Sequence, residues 1–246
     1  MGGELIINNL TISYRKKKAV EDASLTISGG QLTGIIGPNG AGKSTFLKGM
    51  LGLIQRDRGE TTYKGNAVEE QLKRFAYVEQ RQGIDLSFPI DVFGVVLLGT
   101  YPRLGLFKRP GKKEKEIAWR CLEKVGMSEF AQQQIGELSG GQLQRVFIAR
   151  ALAQEAEWLF LDEPFAGIDA TSETMIIQLL KQLRDEGVSI VIVHHDLHKV
   201  REYFDQLIVM NTQVIASGAV NDVFVQEVMS KAYGDEISDL LRIGGK

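Results

Sequence analysis

The chain has 246 residues, of which 43% are apolar and 24% are charged, so it can bury the core of one large domain. Its formal net charge of −2 gives no general support to a nucleic-acid-binding surface. A single cysteine, Cys121, excludes an internal disulfide and is typical of a reducing compartment. The first residues lack the layout of a signal peptide, and the apolar runs fall far short of the roughly 18–20 residues that span a bilayer. If the protein works at a membrane, we expect another subunit to hold it there.

In the first third of the chain, an apolar run leads into a glycine-rich loop. We predict a buried strand over residues 32–36 and a helix over residues 43–53, in which apolar residues recur at helical spacing. A short strand is predicted over residues 75–79 and ends at Gln80. Strands that alternate with helical patterns indicate an α/β layer fold.

The rest of the chain continues this alternation around a helical insertion. Residues 89–153 show helical periodicity and no convincing strand pattern. Beyond them we predict a strand over residues 158–161, an amphipathic helix over residues 172–184 and a β-branched buried strand over residues 188–193. Residues 206–210 and 213–217 predict a terminal hairpin around Asn211 and Thr212, and short helices are expected from residue 221 onward.

Residues 37–44 read G-P-N-G-A-G-K-S, a complete phosphate-binding loop between a predicted strand and a predicted helix. Its glycines let the backbone wrap a phosphate with several N–H groups pointing inward, beside a helix N-terminus that favours anions. Lys43 can reach the β- and γ-phosphates of a nucleotide, and the hydroxyl of Ser44 can bind Mg²⁺. The predicted nucleotide-binding residues of the loop are Gly37, Pro38, Asn39, Gly40, Ala41, Gly42, Lys43, Ser44 and Thr45.

Two adjacent carboxylates, Asp162 and Glu163, follow the predicted strand over residues 158–161. A carboxylate at a strand tip can hold Mg²⁺ directly or through water, and its neighbour can then polarise an attacking water. The alternative is an acidic strand end that is only solvated. A pair with divided roles favours a hydrolase over a simple nucleotide sensor.

The three histidines of the chain, His194, His195 and His198, fall close together. The i,i+4 spacing of His194 and His198 makes a metal site one alternative. However, the cluster straddles a predicted strand end and a helix start, so the two side chains need not share a face. No cysteine or further histidine completes a ligand set.

A second glycine-rich segment, L-S-G-G-Q at residues 138–142, lies far along the chain from the phosphate loop. We call it the signature segment. Ser139 and the glycines also suit a helix N-cap, whose N–H groups attract an anion. Together with residues 37–44 and L-D-E-P at residues 161–164, the segment resembles the nucleotide-binding subunit of an ATP-binding cassette (ABC) transporter, over nearly the whole chain.

The resemblance implies an α/β fold with a P-loop (RecA-like) ATPase core, an N-terminal antiparallel β region and an inserted helical subdomain. We expect a single ABC ATPase domain over residues 1–246. Residues 1–85 and 156–217 would form the core with its β region, residues 86–155 the helical subdomain, and residues 218–246 a short C-terminal helical tail.

The resemblance also implies roles in ATP hydrolysis. Lys43, Ser44 and Asp162 serve the phosphates and Mg²⁺, and Glu163 resembles the general base. Gln80 matches the glutamine that senses the γ-phosphate and Mg²⁺ and that touches the membrane subunit.

His195, which directly precedes Asp196, matches the histidine that contacts the γ-phosphate and helps to hold the attacking water. His194 is then expected to serve local packing. Tyr14 matches the aromatic residue that stacks on adenine, with an ordinary strand aromatic as the alternative. Val20 sits where an apolar residue flanks the same base.

In the family two copies pair head-to-tail, so we expect a homodimer. ATP on Lys43 of one copy would be capped by the signature segment of the other, and Asp169 matches the loop that communicates across the dimer. The expected capping residues are Ser139, Gly140, Gly141 and Gln142.

Several further segments resemble the manganese, zinc and iron uptake branch of the family. They include F-P-I-D-V at residues 88–92, L-G-L-F-K-R-P at residues 104–110 and H-H-D-L at residues 194–197. The resemblance favours manganese, then zinc, with an iron chelate as a further alternative. It implies integral membrane permease subunits, an extracytoplasmic metal-binding protein as an indirect partner, no nucleic acid, and a peripheral position at the cytoplasmic face of the membrane. A soluble cassette ATPase acting on ribosomes or DNA and a non-enzymatic scaffold stay open as alternatives.

Overall fold

A computed structural model describes residues 3–80, 86–104 and 108–234 of the chain. Residues 105–107, which fall in the segment L-G-L-F-K-R-P, and residues 235–246 of the predicted tail lie outside these ranges. The chain divides into two compact units, one formed by residues 1–72 and 184–246 and the other by residues 73–183. The predicted subdomain over residues 86–155 falls within the second unit, and its limits stay a prediction.

Every strand that the hydrophobic pattern predicts is present, and further strands lie before residue 32 and between residues 58 and 67. In chain order the elements are β1 (Leu5–Tyr14), β2 (Lys17–Ile27), β3 (Leu32–Ile36), α1 (Lys43–Met50), β4 (Arg58–Tyr63), β5 (Asn66–Ala67), β6 (Phe75–Val78), α2 (Val92–Leu98), α3 (Lys112–Lys124), α4 (Gly140–Ala153), β7 (Trp158–Asp162), α5 (Ala170–Asp185), β8 (Ser189–Val193), α6 (Val200–Tyr203), β9 (Gln206–Asn211), β10 (Gln213–Ala219), α7 (Val220–Val223) and α8 (Gln226–Tyr233). Short 3-10 helices connect several of them.

The first unit contains the predicted N-terminal antiparallel region, which is confirmed. Its strands lie in the order β2-β1-β4-β5, and the pairs β1–β2, β1–β4 and β4–β5 are antiparallel. Register shifts interrupt the long pairing of β1 with β2. At these bulges Asn9 and Asp22 both adopt positive φ, and the amide of Asn9 donates to the carboxylate of Asp22 at 2.9 Å.

The same unit contains a second set of strands in the order β10-β9-β3-β8. Strand β3 runs parallel to both β8 and β9, and every residue of β3 is buried, as the sequence predicts. Strands β9 and β10 form the predicted antiparallel hairpin, which turns at Thr212 with φ of 60°.

The second unit combines the parallel pair β6–β7 with the helices α2, α3 and α4. Between residues 89 and 153 the only β pairing among the described residues is an isolated bridge from Asp91 to Gln134, so the helical prediction holds there. A Cβ on Gly99 would lie 2.0 Å from the carbonyl oxygen of Arg150, which shows how closely α2 and α4 approach.

One predicted helix is too long. The helix that starts at Lys43 ends at Met50, because Leu51 caps it and Gly52 turns the chain with φ of 69°. Helix α2 has only seven residues, although the surrounding pattern is helical over a longer stretch. Within the described ranges, none of the helices is long and apolar enough to cross a membrane.

Candidate functional site

The phosphate loop connects the buried strand β3 to α1 in the first unit. Gly40 and Gly42 have φ of 79° and 88°, values that favour glycine. A Cβ on Gly37 would meet the carbonyl oxygen of Met210 at 2.0 Å, and one on Gly42 would meet that of Ala19 at 2.1 Å. Two of the glycines are therefore required by neighbouring backbone. By contrast, apart from Gly40 and its two chain neighbours, no described residue has an atom within 4 Å of a Cβ built on Gly40.

Lys43 is 7% exposed and turns its ammonium back into the loop. Its Nζ donates to the carbonyl oxygens of Gly37 at 2.8 Å and of Pro38 at 3.0 Å. The positive charge therefore lies inside the loop, at the N-terminal end of α1, where the helix dipole also favours an anion. Ser44 follows in the first turn of that helix. This arrangement suits the binding of a phosphate group.

The β9–β10 hairpin supports this loop through contacts that the sequence patterns do not indicate. The N–H of Thr212 donates to the carbonyl oxygen of Ala41 at 2.9 Å, and the carbonyl oxygen of Thr212 accepts from the N–H of Glu21 at 2.8 Å. The hairpin turn thus links the phosphate loop to β2. No local sequence signal predicts a contact between residues so far apart in the chain.

The two residues predicted to contact adenine differ in exposure. Tyr14 is 54% exposed at the end of β1, which leaves its ring accessible to a planar ligand. Val20 is fully buried in β2, opposite Ile12, and its Cγ2 lies 3.4 Å from a Cβ built on Gly42. Val20 therefore packs against the phosphate loop. Its role at the base stays a prediction.

The histidines follow β8, next to the strand that leads into the phosphate loop. His194 is buried, and its ring lies 5.8 Å from that of Tyr203 and 5.6 Å from that of Phe204. This environment agrees with a packing role for His194. His195 is exposed, and its role stays a prediction.

The metal site considered for His194 and His198 finds no support. His194 is buried and His198 is exposed, and the N–H of His198 donates to the carboxylate of Asp196 at 3.0 Å. In the part of the chain that the structure describes, no group of three His, Cys, Asp or Glu side chains is placed to hold a metal ion.

In the second unit, each of the two carboxylates accepts a hydrogen bond from β6 or the residues just beyond it. The hydroxyl of Tyr77 donates to Oδ2 of Asp162 at 3.2 Å. The amide of Gln80 donates to Oε2 of Glu163 at 3.0 Å. Because β6 and β7 are parallel, their carboxyl ends meet at one edge, and the structure brings Gln80, Asp162 and Glu163 together there.

Asp162 is the buried last residue of β7, whereas Glu163 leaves the strand with φ of 48°. Such a backbone conformation is strained for a residue with a side chain and is frequent at functional sites. Burial, followed by the charge of Asp162, raises the pKa of Tyr77 well above its usual range. Tyr77 therefore stays protonated and remains a donor to Asp162. Sequence reasoning missed Tyr77, because a strand tyrosine reads as core.

The signature segment forms the start of α4. Ser139 is the exposed N-cap, and its Oγ accepts from the N–H of Gln142 at 3.3 Å. In return, the N–H of Ser139 donates to the side-chain oxygen of Gln142 at 2.8 Å, which completes a capping box. The predicted helix N-cap is therefore confirmed. Gly140 and the buried Gly141 form the first turn.

Asp169 precedes α5 and binds both donors of one residue in that helix. Its Oδ1 accepts from the N–H of Ser172 at 2.9 Å, and its Oδ2 accepts from the hydroxyl of Ser172 at 2.7 Å. The hydroxyl of Ser172, together with the backbone N–H groups of Ser172, Asp169 and Thr171, holds the pKa of Asp169 below its usual value. A Cβ built on Gly141 would lie 2.2 Å from Oγ of Ser172, so the signature segment packs directly on Ser172.

Comparison with known proteins gives these motifs a common context. The family model described as "ABC transporter" matches residues 20–166. The chain is 59% identical to the manganese transport system ATP-binding protein MntB of Listeria innocua, over 93% of this chain and 95% of that protein. It is 48% identical to the zinc transport system ATP-binding protein TroB of Treponema pallidum, over 96% of this chain and 88% of that protein.

A solved structure supports the predicted core. The chain resembles the dimeric structure of MJ0796, a bacterial ABC transporter cassette, with a TM-score of 0.75 and 27% identity. The match covers 88% of this chain and 98% of that one. The α/β class, the antiparallel N-terminal region and the helical insertion are therefore those of a known type of nucleotide-binding domain.

Proposed function

We propose that this chain, which belongs to the ABC transporter family, is the ATP-hydrolysing subunit of an importer that takes up a divalent transition metal through a separate membrane permease. We assign manganese as the metal. The observation that carries the hydrolytic part is the carboxylate pair, in which Asp162 and Glu163 each accept a separate hydrogen bond. The assignment of manganese rests on the 59% identity to a manganese transport ATP-binding protein.

In this proposal the residues of the phosphate loop bind ATP, with the ammonium of Lys43 shifting from two loop carbonyl oxygens to the β- and γ-phosphates. Glu163 accepts the proton of the attacking water, and His195 orients that water and the γ-phosphate. The bond from Gln80 engages only Oε2 of Glu163, so the carboxylate keeps acceptor sites for the attacking water.

The donor set assigned to Mg²⁺ fits that ion. Ser44, Gln80 and Asp162 offer hydroxyl, amide and carboxylate oxygens, the hard ligands that Mg²⁺ prefers. When bound, Mg²⁺ would neutralise charge on the phosphates during transfer. Tyr77 donates to one oxygen of Asp162 and so orients the carboxylate.

We further propose that two copies of the chain pair head-to-tail, so that the signature segment of one caps the ATP on Lys43 of the other. The exposed N-cap Ser139 and the helix N-terminus behind it supply N–H groups suited to a γ-phosphate. The dimeric structure of a related cassette supports this assembly. Permease subunits would hold the pair at the cytoplasmic face of the membrane, and an extracytoplasmic metal-binding protein would deliver the metal.

Two substitutions test the enzymatic part. Glu163→Gln keeps the shape of the side chain and removes the base, so it should retain ATP binding, lose at least about a hundredfold in hydrolysis and trap an ATP-bound dimer. Lys43→Ala should instead weaken ATP binding itself. Light scattering with and without ATP, beside a phosphate-release assay, distinguishes the two. An ATP-bound Glu163→Gln protein that stays monomeric would count against the dimer mechanism.

The metal is tested in cells that lack the protein. Element-by-element measurement of metal accumulation should show a selective loss of manganese, restored by the wild-type chain and not by Glu163→Gln. A selective loss of zinc would instead support the second candidate, which the 48% identity to a zinc transport ATP-binding protein favours. A selective loss of iron would point to the iron-chelate alternative. An unchanged metal content would contradict metal uptake.

A further inference from the structure

Within the chain, the start of α5 lies very close to the signature segment. A Cβ built on Gly141 would lie 2.2 Å from Oγ and 2.4 Å from Cβ of Ser172, whereas the Cα of Ser172 would be 3.7 Å away. Carbon atoms need about 3.5–4.0 Å, so the first two distances are clashes and the third is an ordinary contact. The side chain of Ser172 therefore occupies the space that a side chain at position 141 would need.

Ser172 is itself held in place. Both of its donors, the backbone N–H and the hydroxyl, bind the carboxylate of Asp169 at 2.9 and 2.7 Å. The residue is buried, and its backbone lies in the first turn of the 16-residue helix α5. Because its hydroxyl donates to Asp169, the side chain of Ser172 cannot move aside without breaking that hydrogen bond.

We propose that Ser172, fixed by Asp169, is a positioning residue that seats the first turn of α4 and so sets the place of the signature segment. Gly141 is a glycine in this chain because Ser172 packs against its Cα. The inference rests on the proposed function, in which the signature segment of one copy caps the ATP of the other. It adds a contact within one copy that holds the segment in the position needed for that capping. Asp169 then acts on the signature segment of its own chain, through Ser172.

The test is a set of paired substitutions. Gly141→Ala should displace the first turn of α4 and lower the ATPase rate about a hundredfold, since a shift of about 1 Å in a site can cost that much. Ser172→Gly keeps the backbone N–H for Asp169 and loses the hydroxyl bond, so it should cost about fivefold or less. The double variant Gly141→Ala with Ser172→Gly should return to the level of Ser172→Gly alone.

Ser172→Ala provides the matched control. It removes Oγ but keeps the Cβ that lies 2.4 Å from a Cβ at position 141. Gly141→Ala combined with Ser172→Ala should therefore stay defective, although it lacks the same hydroxyl. A double variant with Ser172→Gly that is as inactive as Gly141→Ala would overturn the proposal, because the glycine would then be needed for another contact.

A second measurement does not depend on hydrolysis. Amide hydrogen exchange of α4 in the nucleotide-free chain should quicken in Gly141→Ala and return to normal with Ser172→Gly, but not with Ser172→Ala. This pattern would support the positioning role even if the wild-type chain failed to hydrolyse ATP, which would refute only the proposed function. If Gly141→Ala does not fold, recovery of soluble protein with Ser172→Gly and not with Ser172→Ala supports the proposal, and equal recovery contradicts it.

Discussion

Asp162 and Glu163 are neighbours in the chain, yet their surroundings differ. Asp162 is buried at the end of β7 and accepts from a tyrosine, whereas Glu163 turns out of the strand and accepts from Gln80. A buried carboxylate held by a fixed donor suits a metal ligand. A carboxylate that accepts from an amide at one oxygen keeps acceptor sites for the proton of water, as a base requires. These contacts agree with the division of roles proposed for the pair.

Tyr77→Phe removes the hydroxyl that donates to Asp162 and keeps the ring. Because outer partners orient metal-binding carboxylates, we expect the Mg²⁺ concentration for half-maximal ATPase rate to rise about tenfold. Titration of the rate with Mg²⁺ at saturating ATP measures the change. Tyr101→Phe, at an exposed tyrosine, serves as the control and should leave the titration unchanged. Identical curves for Tyr77→Phe and the wild type would contradict the positioning role.

Two buried tyrosines should make the free energy of unfolding depend on pH. Burial raises the pKa of Tyr233, and burial with the charge of Asp162 raises that of Tyr77, above the ordinary value of about 10. The folded chain then favours the protonated phenols. Their contribution to stability is complete below pH of about 10 and is lost as pH rises above it, since the unfolded chain releases these protons first.

Urea unfolding between pH 8 and 11 measures this dependence. We expect the free energy of unfolding to fall above pH of about 10, by up to about 1.4 kcal/mol per pH unit for each tyrosine. Tyr233→Phe should flatten the decline, because phenylalanine has no proton to release. A wild-type protein whose stability declines no more steeply than that of Tyr233→Phe would contradict a buried, protonated Tyr233.

At the scale of elements, the phosphate loop offers a matched pair of glycines. Gly40→Ala and Gly42→Ala both place a side chain at positive φ, which costs roughly 1–2 kcal/mol. Only the Cβ at position 42 also meets a backbone carbonyl oxygen, that of Ala19, at 2.1 Å. We expect Gly42→Ala to lose about 2 kcal/mol more than Gly40→Ala in urea unfolding, because overpacking adds to the strain. Equal losses would show that backbone strain alone requires these glycines.

The fully buried strands were the most predictable elements. Strands β3, β7 and β8 are buried along their whole length, so their apolar runs stand out in the sequence. The phosphate loop and the carboxylate pair were predictable for a related reason, since each directly follows such a run. The length of helix α1 was overestimated because the apolar periodicity continues through Leu51 and Leu53, past the turn at Gly52.

Contacts between distant segments were not predictable from local patterns. Tyr77 reads as an ordinary strand residue until β6 is paired with β7 and its hydroxyl reaches Asp162. The contact of Gly141 with Ser172 joins the first turns of two helices. The sequence indicates where each helix begins but not that the two helix starts touch. Pairing of strands and helices, which depends on packing across the unit, decides such contacts.

At the scale of the whole molecule, the phosphate loop belongs to one compact unit and the signature segment to the other. The proposed mechanism joins these parts between two copies of the chain, so that ATP bound to one copy completes its site with the helix N-terminus of the second. Symmetry then creates two equivalent sites in each dimer. Closure of the pair around ATP, and its opening after hydrolysis, would be the motion passed to the permease.

The dependence of the ATPase rate on chain concentration tests this central claim most directly. Wild-type protein is diluted from micromolar to nanomolar concentration at saturating ATP and Mg²⁺, and the phosphate released per chain is measured. If two copies form each site, the rate per chain should fall in proportion to the concentration once pairs no longer form. A rate per chain that stays constant through the whole dilution would contradict the account, because one copy would then hydrolyse ATP alone.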